Sequence, residues 1–252
     1  MSSTGRVLAW FSCGDASAVA AKLAAEKYGD RCEVLYCDTF AYEHPDNRRF
    51  FEDVQRWLGR EIKVLRSEEY ADIWDVFERT HFLRDVRTGG ARCTTELKKV
   101  VRKSYQRIGD RHVFGFTAEE RMPLCRQASK DRVARFKREN PELDAEFPLV
   151  DLGLSKADCH RRVRDAGIEL PAMYRLGYHN NNCIGCVKGK KGYWNKIRRD
   201  FPEAFLRMAQ MERKLNFALT GVFLDELPPG AGRYAEESHI ECGVLCGEEL
   251  TS

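Results

Sequence analysis

The chain has 252 residues, of which 43% are hydrophobic and 32% are charged, and its formal net charge is +3. This balance is typical of a globular protein with a buried core and excludes a largely disordered chain. The first apolar run, 7–11, is too short for the core of a signal peptide or for a membrane-spanning helix of roughly 20 residues. We therefore expect a cytoplasmic protein without membrane contact.

Short apolar runs and helical periodicities alternate along the first part of the chain. The runs predict buried strands, and the 3.6-residue spacings between them predict helices. The predicted order is strand 6–11, helix 16–28, strand 32–37, helix 46–58, strand 62–65, a helix capped by Thr94 or Thr95, strand 112–116, an edge strand at 147–150, and a helix that Ser155 caps and Gly167 ends.

This alternation predicts an α/β fold with a doubly wound, mostly parallel sheet, because parallel strands need helical crossovers. We assign residues 1–170 to the sheet domain. Residues 171–252 form a helical, cysteine-containing appendage with a loop at 177–192, a helix at 193–216 and a Pro/Gly linker at 228–232. Such sheets bind ligands beyond the carboxyl ends of their strands, so the candidate site residues follow the strands.

The segment 12–17, Ser-Cys-Gly-Asp-Ala-Ser, joins the first predicted strand to the first predicted helix. Backbone N–H groups in a loop of small residues, together with a helix N-terminus, stabilise a phosphate group. Ser12 and Ser17 add hydroxyl donors. The segment lacks the Gly-x-x-x-x-Gly-Lys pattern of a Walker loop. Taken alone, a turn with a serine cap explains it equally well.

Charge is unevenly distributed along the chain. Residues 84–138 carry a local charge of +10, and residues 225–252 carry −6. A basic stretch is typical either of a solvated helix face or of a surface that faces a nucleotide or a nucleic acid. The basic clusters 188–191 and 196–199 also have two interpretations, as a solvated face or as a contact surface for a nucleic acid. Tyr193 and Trp194 between them are either core residues or a platform for base stacking.

Ten cysteines are many for a cytoplasmic chain, in which disulfides are uncommon. Cys183 and Cys186 form a Cys-x-x-Cys pair, and Cys242 and Cys246 form a second close pair. Thiolates suit both zinc and an iron–sulfur cluster. One predicted ligand set is Cys93, Cys183 and Cys186 with Cys242 or Cys246; a second is Cys183, Cys186, Cys242 and Cys246, with zinc; the third alternative is a dithiol without metal.

Seven short motifs in order resemble those of the phosphoadenosine phosphosulfate (PAPS) reductase family, within the PP-loop ATP pyrophosphatase superfamily. They span nearly the whole chain. The motifs are Ser12, Gly14 and Ser17 of the first loop, Asp38-Thr39, the segment 43–46, the segment 92–98 with Cys93 and Lys98, the segment 115–126 with Gly115 and Arg126, Gly177-Tyr178 with Cys183 and Cys186, and Glu241-Cys242-Gly243.

The resemblance implies an adenine nucleotide alpha hydrolase-like fold. An adenine nucleotide would lie across the strand ends at Ser12, Gly14, Ser17, Asp38, Thr39 and Gly115, and Lys98 and Arg126 would neutralise phosphate or sulfate. Cys183 and Cys186 would supply half of a 4Fe-4S site, with zinc as the alternative. Cys242 would be the catalytic thiol of a reductase.

The chain also departs from the family pattern. Cys13 replaces the first glycine of the loop, and Ala16 stands at the acidic position that helps to hold magnesium in the pyrophosphatases. Asp15 and Asp38 are the remaining candidates for a Mg²⁺ ligand. Leu245 replaces the histidine of the C-terminal motif, and Cys246 is added nearby.

Three functions follow. The first is an enzyme that cleaves ATP to AMP and pyrophosphate and adenylates a substrate, for sulfur transfer or nucleic-acid modification. The second is a sulfonucleotide reductase that uses Cys242 as its nucleophile and a thioredoxin-like partner. The third is a non-catalytic nucleotide-binding module. The sequence leaves the acceptor, the sulfur donor and the oligomeric state open.

Overall fold

The computed structural model describes residues 5–85, 87–121, 131–237 and 240. Three predicted site residues, Arg126, Cys242 and Cys246, lie outside the described residues. The chain forms two compact units. The sheet unit contains the described residues of 1–38, 45–65 and 103–181, and the helical unit contains those of 39–44, 66–102 and 182–252. The domain boundary between 170 and 171 stays a prediction.

The sheet unit contains, in the described residues, a five-stranded sheet in which every strand pairing is parallel. The order β3-β2-β1-β4-β5 confirms the predicted α/β fold with a parallel sheet. Successive strands extend from β1 to one side and then return to its other side, so the order reverses between β1 and β4. The strands are β1 Val7–Phe11, β2 Cys32–Cys37, β3 Ile62–Leu65, β4 Arg111–Val113 and β5 Asp144–Glu146.

The helices of both units are numbered in chain order. They are α1 Asp15–Tyr28, α2 Asn47–Leu58, α3 Ile73–Thr80, α4 Arg92–Thr94, α5 Val100–Tyr105, α6 Arg132–Glu139, α7 Pro148–Asp151, α8 Lys156–Asp165, α9 Ala172–Arg175, α10 Lys191–Asp200 and α11 Pro202–Leu215. A π-helical segment, Thr95–Lys99, lies between α4 and α5. Within the described parts of the chain, no helix combines the length and the apolar character that a bilayer crossing requires.

The core of the sheet unit follows from its apolar sequences. All five residues of β1 are buried, which explains an apolar run without the alternation of a half-exposed strand. Helix α1 buries small side chains, including Ala18 and Ala21. As predicted, α2 ends where Gly59 adopts a left-handed conformation with φ 66°, and Ser155 caps α8.

Two predicted elements are wrong, and a proline explains each difference. The segment 147–150 is not a strand. Pro148 begins α7, where the missing N–H of a first-turn proline costs nothing, and the fifth strand lies just before it, as β5. The helix predicted at 193–216 is two helices, because Pro202 cannot continue α10 and instead begins α11.

Two boundaries also differ from the prediction. Thr94 and Thr95 are not helix caps, because the helical turns already begin at Arg92 and Ala91 is the N-cap residue. Strand β4 ends at Val113 rather than at residue 116.

Gly115 lies where the chain leaves β4 and passes the first turn of α1. A Cβ atom on Gly115 would lie 2.6 Å from the Cα atom and 2.7 Å from the backbone nitrogen of Ser17. Both contacts are with backbone, which cannot rotate away. The absence of a side chain at Gly115 therefore lets the N-terminus of α1 lie directly against the end of β4.

We predict that Gly115→Ala destabilises the protein by roughly 1–3 kcal/mol, since the new methyl group has to displace the first turn of α1. Denaturant unfolding measures this. Gly14→Ala is the matched control, because a Cβ atom there meets no atom closer than 3.8 Å. Equal stability of the two variants would contradict the packing role of Gly115.

Candidate functional site

The β1–α1 loop is held in shape by the hydroxyl group of Ser17. This group donates to the carbonyl oxygen of Gly14 at 2.9 Å and accepts from the backbone N–H of Ser12 at 3.1 Å. The hydroxyl oxygens of Ser12 and Ser17 are 3.2 Å apart. Ser17, predicted as a phosphate donor, is thus also the residue that fixes the loop conformation.

Cys13 keeps the backbone conformation that glycine adopts freely. Its φ is 54°, in the left-handed region, which costs a residue with a side chain roughly 1–2 kcal/mol. The amide of Asn181 donates to the Cys13 carbonyl oxygen at 2.6 Å and to the Asn47 side chain at 2.8 Å. Asn181 thus secures the strained residue, and no local sequence pattern points to it.

Three hydroxyl groups surround the position of a side chain at residue 14. A Cβ atom there would lie 3.8 Å from the Ser17 hydroxyl, 3.8 Å from the Tyr174 hydroxyl and 3.9 Å from the Ser12 hydroxyl. Gly14 is also the N-cap residue of α1, and no side chain caps that end of the helix. The loop therefore combines a helix N-terminus with three hydroxyl groups around the position of a side chain at residue 14.

Asp15 lies beside this position with a fully buried carboxylate. Its Oδ1 atom contacts the Nζ atom of Lys156 and accepts a hydrogen bond of 2.6 Å from the hydroxyl of Tyr174. The Lys156 Nζ atom also donates to the Tyr174 hydroxyl at 2.9 Å. No sequence pattern points to Lys156 and Tyr174, because both come to Asp15 only through folding.

His160 completes the cluster around Asp15. Its Nε2 atom is 3.3 Å from Asp15 Oδ2, and within the described residues neither atom has a hydrogen-bond partner. Burial lowers the pKa of His160, with Lys156 acting in the same direction and Asp15 against it. The imidazole is therefore neutral at neutral pH, and the ammonium group of Lys156 balances the charge of Asp15.

Tyr174 stays protonated in this environment. Burial and the Asp15 carboxylate both raise the pKa of its hydroxyl well above the ordinary value for tyrosine. The hydroxyl can then donate to Asp15 while it accepts from Lys156. We call Asp15, Lys156, His160 and Tyr174 the Asp15 cluster.

The other predicted nucleotide residues belong to both units. Asp38 follows β2 in the sheet unit, where it is partly exposed and its backbone N–H donates to the Leu65 carbonyl oxygen at 2.8 Å. Thr39 and Lys98 are buried residues of the helical unit. Ser12, Gly14, Asp15, Ser17 and Gly115 are brought together in the sheet unit by the β1–α1 loop and the end of β4.

A second group of predicted residues surrounds Tyr42 in the helical unit. Burial raises the pKa of Tyr42, and the nearby thiols of Cys183 and Cys93 raise it further, whereas Lys98 opposes them. The Tyr42 carbonyl oxygen accepts from the backbone N–H of Ile184 at 2.8 Å. Cys93 and Cys183, far apart in sequence, are therefore near the same tyrosine.

The Cys-x-x-Cys turn is shaped by Tyr193 and Gly185. The Tyr193 hydroxyl accepts from the Cys186 backbone N–H at 2.9 Å and donates to the Cys183 carbonyl oxygen at 3.2 Å. Gly185 has φ 74°, which favours glycine in this turn. The hydrogen bonds of Tyr193 and the conformation of Gly185 thus fix the backbone of this turn.

No three His, Cys, Asp or Glu side chains are arranged to hold a metal ion in the parts of the chain that the structure describes. Cys93, Cys183 and Cys186 therefore do not fit a metal centre by themselves. The further predicted ligands Cys242 and Cys246 lie outside the described residues, so the metal site stays a prediction.

The basic cluster 196–199 is largely committed to contacts within the helical unit. Lys196 pairs with Asp200 at 2.7 Å, and Arg198 donates to the carbonyl oxygens of Leu224 and Leu227 at 2.9 and 2.7 Å. Tyr193 and Trp194 are buried, as core residues are. These contacts favour a structural role for this segment over a role in base stacking.

Comparison with known proteins shows a distant relationship. No protein-family model matches the chain. The chain is 26% identical over 210 residues to an uncharacterized protein of Methanocaldococcus jannaschii, and the match covers 82% of this chain. The chain spans 42% of the length of that relative.

Proposed function

We propose that the chain is a PP-loop enzyme of the PAPS reductase type that binds an adenine nucleotide with its phosphates at the β1–α1 loop. The nucleotide is ATP: an acceptor oxygen attacks the α-phosphate and pyrophosphate leaves, and AMP is released when a second nucleophile, such as sulfur, displaces it from the adenylated acceptor. Sulfur transfer and nucleic-acid modification are the two acceptor chemistries that the family resemblance implies. The observation that carries the proposal is the uncapped N-terminus of α1 at Gly14, which three hydroxyl groups surround.

The position of this loop in the sheet supports a ligand site. It follows β1, and Gly115 follows β4, so both are at the carboxyl ends of strands where the strand order reverses. Open parallel sheets bind their ligands at this point because the two adjacent loops diverge there and leave a crevice.

The electrostatics of the loop favour an anion. Helix α1 has 14 residues, and its N-terminal N–H groups donate to no capping side chain, because the N-cap residue is Gly14. These groups carry the positive end of the helix dipole, and a phosphate oxygen can accept from them. A side chain at residue 14 would extend from this end of the helix toward the Ser12, Ser17 and Tyr174 hydroxyls.

The carboxylates of Asp15 and Asp38 are not equally suited to bind a magnesium ion. Asp15 does not fit, because its buried carboxylate already contacts the Lys156 ammonium group, which would repel a divalent cation. Asp38 fits better, since it is partly exposed directly after β2 and Mg²⁺ binds one or two carboxylates together with substrate phosphates. A bound magnesium ion would neutralise part of the phosphate charge.

The residues of the loop then act by orientation and charge stabilisation. The N–H groups at the start of α1 hold the phosphates, and the hydrogen bonds of Ser17 keep these donors in place before the nucleotide arrives. Such preorganised donors stabilise charge that develops when the bond between the α- and β-phosphates breaks.

We predict that the full chain with radiolabelled ATP, magnesium and its acceptor forms AMP and pyrophosphate, and not ADP. Turnover without acceptor should be slow, because the attacking group is missing. Nucleic acids and sulfur donors are added one class at a time, and AMP is measured by chromatography. A parallel assay supplies sulfonucleotide and thioredoxin.

One result would refute this reaction. Sulfite release that Cys242→Ser abolishes, with no AMP formed from ATP, would establish the reductase instead. Nucleotide binding without turnover in any of the assays would favour a binding module or an acceptor of a class that was not supplied.

The cysteine pair gives a separate prediction about metal. We expect anaerobically purified chain to contain stoichiometric iron or zinc, and the double variant Cys183→Ser/Cys186→Ser to contain none, because both thiolates are ligands. Elemental analysis and an absorption spectrum measure this and distinguish iron–sulfur from zinc. Cys32→Ala, which changes a buried cysteine of β2, is the control and should keep its metal. Metal that survives the double substitution would contradict the assignment.

A further inference from the structure

The ammonium group of Lys156 has three N–H donors, and two of them have acceptors among the described residues. These two serve Asp15 and the Tyr174 hydroxyl, and among the described residues no acceptor takes the third. The Lys156 side chain is 29% exposed, whereas the Asp15 carboxylate beneath it is fully buried. The ammonium group is thus anchored by Asp15 and Tyr174 and keeps one donor for a further acceptor.

The anchored ammonium group is connected to the β1–α1 loop through the Tyr174 hydroxyl. It donates to the Tyr174 hydroxyl, and that hydroxyl is 3.8 Å from the place of a Cβ atom on Gly14. The same place is bounded by the Ser12 and Ser17 hydroxyls at the N-terminus of α1. A tetrahedral anion at the N-terminus of α1, beside Gly14, would therefore be near hydroxyl groups and near the Lys156 ammonium group that the Tyr174 hydroxyl holds.

We propose that Lys156 binds a phosphate group of the nucleotide directly, and that Asp15 and Tyr174 are the positioning residues that hold its ammonium group at the loop. This assignment rests on the proposed nucleotide function and adds the cation that contacts the phosphate. It also gives Asp15 a role other than that of a magnesium ligand.

The buried carboxylate explains how the lysine is positioned. A fully buried charge without a partner is strongly destabilising, so Asp15 fixes the Lys156 ammonium group at contact distance. Asp15 lies in the first turn of α1, where the helix dipole also stabilises its negative charge. A lysine held in this way loses little side-chain freedom when it binds an anion, which favours affinity.

The test compares binding of adenosine, AMP and ATP to the full chain by calorimetry. Lys156→Met should weaken AMP and ATP binding by about 10- to 100-fold, as expected for loss of a hydrogen bond to a charged group. Adenosine binding should not change, because adenosine has no phosphate. Arg162→Met is the matched control: it removes one positive charge from an exposed position on the same helix α8 and should leave all three affinities unchanged.

A second variant covers the case in which Lys156→Met fails to fold because Asp15 remains buried without its partner. Asp15→Asn/Lys156→Met removes both charges and leaves no unpaired buried charge. It should fold and show the same phosphate-specific loss.

The outcomes separate this assignment from the function on which it rests. An equal loss for adenosine and ATP, or an unchanged affinity for AMP and ATP in a folded variant, would overturn the role of Lys156 and leave the nucleotide function intact. Failure of the unaltered chain to bind any of the three ligands would refute the proposed function and the assignment together.

Discussion

The candidate site of the sheet unit depends on one close approach, that of Gly115 to the first turn of α1. Gly115 has no side chain, and the backbone of Ser17 therefore lies very close to it. A Cβ atom on Gly115 would be only 2.6 Å from the Cα atom of Ser17. This contact sets the N-terminus of α1 against the end of β4. It thereby places the β1–α1 loop at the point where the strand order reverses, which is where an open parallel sheet has room for a ligand.

The position of α1 also buries a charge, that of the Asp15 carboxylate. The start of α1 carries Asp15 into the interior, where its carboxylate needs a cation and a donor. Lys156 at the start of α8 and Tyr174 in α9 supply them, while burial keeps His160 neutral. The loop and the Asp15 cluster therefore form one arrangement, in which the residues that stabilise the fold also place a cation at the proposed phosphate position.

Local sequence signals determined much of the fold. The bounds of β2 and β3 match the prediction, because Val34, Ile62 and Val64 are β-branched and favour a strand over a helix. The prediction for 147–150 is wrong because its apolar residues resemble a strand, whereas Pro148 is well suited to the first turn of a helix.

The candidate site was only partly predictable, for a different reason. Ser12, Gly14 and Ser17 lie within six residues and form a recognisable loop. Lys156 and Tyr174 are 141 and 159 residues away from Asp15 in sequence, and no local pattern relates them to it. Tertiary pairs of this kind become visible only when the helices are placed on the sheet.

The central claim, that the β1–α1 loop is the phosphate site, is tested most directly by nucleotide binding to Gly14→Val. A Cβ atom at residue 14 has no neighbour closer than 3.8 Å, and the methyl groups of the valine extend beyond it into the space assigned to the phosphate. We expect calorimetry to show ATP binding weakened by about tenfold or more, which corresponds to a loss of about 1.4 kcal/mol or more. Gly230→Val, at an exposed glycine with no neighbour within 4 Å, should bind as the unaltered chain does. Unchanged ATP affinity in a folded Gly14→Val protein would contradict the claim.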